Sequence, residues 1–165
     1  MATNLLIFIV LISLTISCHS RGEKKYKNDI GFIDPATALD EEGFTACENH
    51  IYEYYESSPH GGFKYDKKAF RDFVMRKFLY EGTDSGCLTF RFVVNCHGVA
   101  GRYQILENDL NYKPTKLNES LVSKLFLITK EVKEWRTIKF DNQPKDYYFY
   151  ITYKLKHGKI IEILP

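Results

Sequence analysis

Apolar and polar positions change period several times along the chain, and each change marks an element. Leu88, Phe90, Phe92 and Val94 alternate with Thr89, Arg91 and Asn95. That is the period-two pattern of a strand with one buried face. Cys96-His97-Gly98 supplies a turn in which Gly98 can take the positive φ of a tight hairpin, and Arg102 to Leu106 is the returning strand. Residues 107–117 are polar and read as a loop. Leu121, Leu125, Ile128, Val132 and Trp135 then recur at spacings of four and three. This stripe predicts a helix from Asn118 to Trp135. Asn118 is its natural cap, Glu119 sits in its first turn, and Lys130 and Lys133 in its last. The cap also accounts for Asn118-Glu119-Ser120, formally a glycosylation sequon. After a polar connection containing Pro144, Tyr147, Phe149, Ile151, Tyr153 and Leu155 share one face of another strand. Lys156 to Lys159 turns the chain, and Ile160 to Leu164 closes it.

Two helices are expected before these elements. The first runs from Asp40 to Glu56, with Asp40 as cap, Glu41 and Glu42 in the first turn, and Phe44, Cys47, Ile51 and either Tyr54 or Tyr55 on one face. Pro59, Gly61 and Gly62 end it. The second runs from Asp66 to Tyr80, with Phe70, Phe73, Val74 and Phe78 as its stripe. The predicted fold class is α+β: an antiparallel sheet of two hairpins with an amphipathic helix between them, preceded by two helices. One domain over residues 38–165 follows a polar tether at 19–37.

The N-terminus breaks this patterning. Leu5 to Ile16 reads LLIFIVLISLTI. A bilayer-spanning helix needs roughly 18 or more apolar residues. This run is nearer the core of a signal peptide, so residues 1–18 are read as an export signal and the rest as a protein of the periplasm or cell envelope. Leu14 to Cys18 resembles a loose bacterial lipobox. Cys18 would then be lipidated and would hold the domain to a membrane. Arg21, Lys24, Lys25 and Lys27 follow the run and oppose translocation slightly.

Composition narrows the function classes. In 165 residues, 44% hydrophobic and 15% aromatic content supports one real core and argues against disorder. A net charge of only +2 argues against a nucleic-acid partner. Beyond Cys18 there are Cys47, Cys87 and Cys96. Cys87 and Cys96 fall at opposite ends of one strand, too far apart to bridge. Cys47 with Cys96 is the disulfide candidate, and three buried free thiols are the alternative.

No catalytic residue, metal ligand set or cofactor is assigned. His19, His50, His60, His97 and His157 are scattered, and neither Cys47 with His50 nor Cys96 with His97 supplies four convergent ligands. A Cys–His nucleophile using Cys47, Cys87 or Cys96 lacks any flanking motif. Asp40, Glu41 and Glu42 are explained by a helix start, and Glu107 and Asp109 by a solvated loop. Tyr147 to Tyr150 form an aromatic run of a type enriched in binding surfaces.

These elements resemble a family. Phe90 to Asn95, the turn glycine Gly98, a helix ending in Trp135, and Tyr153 to Ile163 look like the C-terminal domain of TonB proteins. Gly62-Phe63 and the helix through Phe73 and Tyr80 resemble the element that often precedes it, so the likeness covers about residues 60–165. The chain departs from the family pattern in having Glu81 after Tyr80, and Pro144 well beyond Trp135. The resemblance implies a non-enzymatic protein-binding module. Its partner would be a protein or extended peptide, in the family an outer-membrane receptor segment, held as an added strand. The expected edge is Tyr147, Phe149, Ile151 and Tyr153. With 5 Pro in all and a short lead-in, the chain lacks the family's long spacer. That favours a stand-alone module. An uncleaved energy transducer and a small secreted thiol enzyme are the alternatives.

Overall fold

The computed structural model describes residues 32–39, 43–56, 60–133 and 135–165. The signal segment and Cys18 lie outside them. Ile33 to Pro165 form one compact unit. The unit begins within the expected tether: Ile33 is buried, and Asp34 closes a turn by accepting the amides of Ala36, Thr37 and Ala38.

In chain order the elements are β1 (Tyr52–Glu53), α1 (Lys67–Lys77), β2 (Gly86–Val94), β3 (Ala100–Asn108), α2 (Glu119–Lys130), β4 (Ile138–Phe140), β5 (Gln143–Lys145), β6 (Tyr147–Lys156) and β7 (Lys159–Leu164). The protein is α+β. Its main sheet has five strands, ordered β1, β6, β2, β3, with β7 also on β6. β1 runs parallel to β6, and every other pair is antiparallel. β4 and β5 make a separate small hairpin.

The sheet's centre is the pairing of β2 with β6, continuous from Gly86↔Leu155 to Val94↔Tyr147. Register is held by burial, because a one-residue slip would turn every core side chain to the other face. Leu88, Phe90, Phe92 and Val94 of β2 and Tyr147, Phe149, Ile151, Tyr153 and Leu155 of β6 all enter one core. Leu121, Leu125 and Ile128 of α2, and Phe70 and Val74 of α1, cover this face. Both helices begin at side-chain caps. Asp66 accepts the Ala69 amide, and Asn118 accepts the Ser120 amide.

Two expectations are corrected and a third is refined. Residues 43–56 form turns and β1, not a helix, so one helix precedes the sheet among the described residues. The amides that a helix would bond internally are taken by distant partners. Asp146 accepts from Cys47 at 2.7 Å and Glu48 at 3.3 Å, and its main-chain carbonyl accepts from Tyr52 at 2.9 Å. Second, α2 stops at Lys130. Val132 and Trp135 still reach the core, but Trp135 does so from an extended segment that bridges Phe63. Third, β4 and β5 occupy the polar connection that contains Pro144. Asp141 and Asn142, with φ of +49° and +62°, form the two-residue turn between them.

Asp146 is fully buried, and its other carboxylate oxygen accepts the Cys96 amide at 2.7 Å. Cys96 is joined to Cys47 by a disulfide that closes 49 residues. Asp146→Ala would strand up to three amides around that bond. A loss of about 3 kcal/mol is expected in urea unfolding. The loss should shrink in a Cys47→Ser/Cys96→Ser background, because the clamp and the bridge hold the same segment.

Candidate functional site

The side of β6 facing away from β2 is shared by two short partners. β1 covers Tyr147 and Tyr148, and β7 covers Thr152 to Lys156. Phe149 to Ile151 have no strand partner on that side among the described residues. Beside this gap lies a cavity of about 700 Å³ that opens to solvent. Phe149 and Ile151 form its floor, and Phe63, Phe70 and Trp135 form a wall. Tyr54 stands edge-on to Phe149 at 5.5 Å between ring centroids, and Trp135 lies 5.7 Å from the same ring. Ile163 and Leu164, at the end of β7, form the opposite wall.

Gly61 and Gly62 let the chain pass flat over these rings. A Cβ on Gly61 would run into the Tyr147 ring, and one on Gly62, at φ +123°, would press to 3.1 Å from Phe149. The Tyr147 hydroxyl completes the corner. It accepts the Gly62 amide at 3.1 Å and donates to the Arg136 carbonyl at 2.7 Å. Burial pushes its pKa up to about 12.

Charge gathers at the mouth. Lys67, Lys68, Arg71 and Arg136 line it with one acidic side chain, Asp66, and the terminal residue Pro165 lines it too. Asp66 is engaged in capping α1, and Lys68 pairs with Asp72 at 2.6 Å. Arg136 reaches the Lys64 carbonyl at 3.3 and 3.4 Å. Buried in the wall, the Trp135 indole nitrogen has no hydrogen-bond partner among the described residues.

The four residues expected as the peptide edge lie on β6, with their side chains buried. On the side away from β2, Tyr147 pairs with β1 and Tyr153 with β7, while Phe149 and Ile151 fall in the gap between those two strands. The Tyr153 hydroxyl meets Thr129 Oγ1 at 2.8 Å inside the core, and burial raises its pKa. Among the described residues, the outer edge of β7 pairs with no other strand. Its Ile161 and Leu164 are 46% and 38% exposed. The other outer strand, β3, is partly covered, because Leu39 and Tyr103 exchange both main-chain hydrogen bonds. Periodicity located β6 and β7 but could not say which lay outside.

Cys47, Cys96 and His97 place their ligand atoms within 4.8 Å of one another. With the sulfur–sulfur bond formed, the two cysteines offer no thiolate, so bridge and metal exclude each other there. Cys87 is buried, and burial pushes its thiol pKa up. Among the described residues no helix is long and apolar enough to cross a membrane. No protein-family model, curated protein or solved structure matches the chain.

Tyr147→Phe removes a hydroxyl that satisfies two main-chain groups, and a loss of about 1–3 kcal/mol is expected in chemical denaturation. The fold favours the neutral phenol, so its contribution is complete below about pH 10 and declines as pH rises toward about 12. The variant should therefore lose stability less steeply over that range. For Cys87, alkylation by iodoacetamide should be slow in the native protein and fast once it is unfolded. Rapid native-state labelling would show an accessible thiolate and revive thiol chemistry.

Proposed function

We propose that the chain is a non-enzymatic binding module working outside the cytoplasm, tethered to a membrane through Cys18, that takes an extended peptide or receptor segment as an added strand on β7. The observation that carries this reading is the unpaired outer edge of β7. Unpaired amides and carbonyls on an edge strand are a template for another chain. Lys159 and Glu162 keep that edge charged, while Ile161 and Leu164 offer apolar contacts. The Cys47–Cys96 disulfide supports an oxidising compartment. The likeness to the TonB C-terminal domain rests on the sequence resemblance, and the β4–β5 hairpin between α2 and β6 is an addition to the element order it implies. The buried Cys87 and the bonded Cys96 speak against a thiol enzyme.

The test is hydrogen exchange on the protein bound to peptides selected from a random library. Protection of β7 main-chain amides is expected. Ile161→Pro should weaken binding by more than about tenfold, with the circular dichroism of the sheet retained. Peptides that protect β3 instead, or that bind Ile161→Pro undiminished, would exclude strand addition at β7.

A further inference from the structure

The cavity beneath the β6 gap is not needed for strand addition, and its chemistry points to a ligand of its own. Its volume of about 700 Å³ falls within the range of small-molecule sites. The interior is apolar: Phe63, Phe70, Trp135 and Phe149 face the aliphatic side chains of Ile151 and Ile163. A hydrocarbon chain or ring system fits such walls. The mouth has the opposite character. Asp66 caps α1 and Lys68 is paired with Asp72, while Lys67, Arg71 and Arg136 make no ion pair among the described residues. Among the side chains of the rim the excess is cationic, and the N-terminus of α1 adds to it.

One donor sharpens the choice of head group. The buried Trp135 indole N–H has no acceptor among the described residues, and the next residue, Arg136, also lines the cavity. A carboxylate accepts several hydrogen bonds at once, and guanidinium groups match it in shape and charge. We propose that the cavity binds an anionic amphiphile, with its apolar body on the Phe149–Trp135 wall and its carboxylate at the Arg71–Arg136 rim. A cationic head would meet the rim's positive charge. An alcohol would fill the interior but leave the guanidinium groups without an anion.

Trp135 is the protein's single tryptophan and lines the cavity, so its fluorescence reports occupancy directly. The purified protein is titrated with decanoate, decanol and decyltrimethylammonium, each below its micelle concentration, with calorimetry alongside. Saturable one-to-one binding of decanoate is expected, at least about tenfold tighter than decyltrimethylammonium. The Arg71→Gln/Arg136→Gln variant should weaken decanoate by about tenfold and leave decanol unchanged. Ile163→Phe, which fills the interior from the end of β7, should abolish binding of all three. No saturable decanoate binding, or equal affinity for the three head groups, would overturn the proposal. So would decanoate binding unaffected by Ile163→Phe. The head-group comparison uses the unaltered protein and holds even if a variant fails to fold. Because the readout is Trp135 and the ligands cannot add a strand, failure here leaves the β7 edge untouched, and the converse is also true.

Discussion

The carboxylate of Asp146 holds together parts of the chain that nothing local would join. It sits fully buried at the start of β6, accepting amides from Cys47, Glu48 and Cys96. Its own main-chain carbonyl takes the Tyr52 amide and so sets β1 alongside β6. A buried carboxylate is costly unless its lone pairs are filled. Here they are filled by the main chain of the lead-in segment. The disulfide then ties that segment covalently to the β2–β3 turn. Removing the clamp would free more than a loop, because Tyr54 and the Gly61–Gly62 crossing lie downstream of it and line the cavity.

The cavity is a consequence of this arrangement. β6 is too long for either of its outer neighbours. β1 reaches only its first two residues, and β7 only its last five. The helices cover the core face where α2 lies, while the corner near Phe149 is lined by Tyr54, the Gly61–Gly62 crossing, Phe63, Phe70 and Trp135. Trp135 can serve there because α2 ends at Lys130 and Trp135 instead bridges to Phe63. The separate β4–β5 hairpin then carries the chain from Arg136 to Asp146. The same set of connections leaves β7 outermost, so the free strand edge and the cavity share the Ile163–Leu164 end of β7.

Much of this was legible in the residues. Alternation in Leu88 to Val94 and in Tyr147 to Leu155 marks two strands with one buried face each. The spacing of Leu121, Leu125 and Ile128 marks the helix between them, and Gly98 and Gly158 mark turns, with φ of +76° and +72°. The Asp141-Asn142 turn was legible too, as a pair of residues that tolerate positive φ, but the polar stretch around it masked the hairpin. The lead-in was misread for a physical reason. Phe44, Cys47, Ile51 and Tyr54 have helical spacing, but period describes only which side chains face inward. The Cys47 and Glu48 amides found a buried carboxylate about a hundred residues away, with separations of 99 and 98, and the Thr45 carbonyl accepted a hydrogen bond from the Asn95 side-chain amide at 3.0 Å.

What the sequence by itself determined is the set of local elements from α1 onward and the class of fold they build. Those follow from short-range periodicity, caps and turn residues, which act within a few positions. Only the tertiary structure decided which strand is interior, because both β6 and β7 carry alternating patterns and edge status depends on partners remote in the chain. It bore out the Cys47–Cys96 bridge that the sequence favoured over free thiols, and it alone decided the burial of Asp146 and the convergence of Arg71, Trp135, Phe149 and Ile163 around one cavity. Each of these is a contact between segments far apart in sequence, where proximity is set by packing and not by spacing.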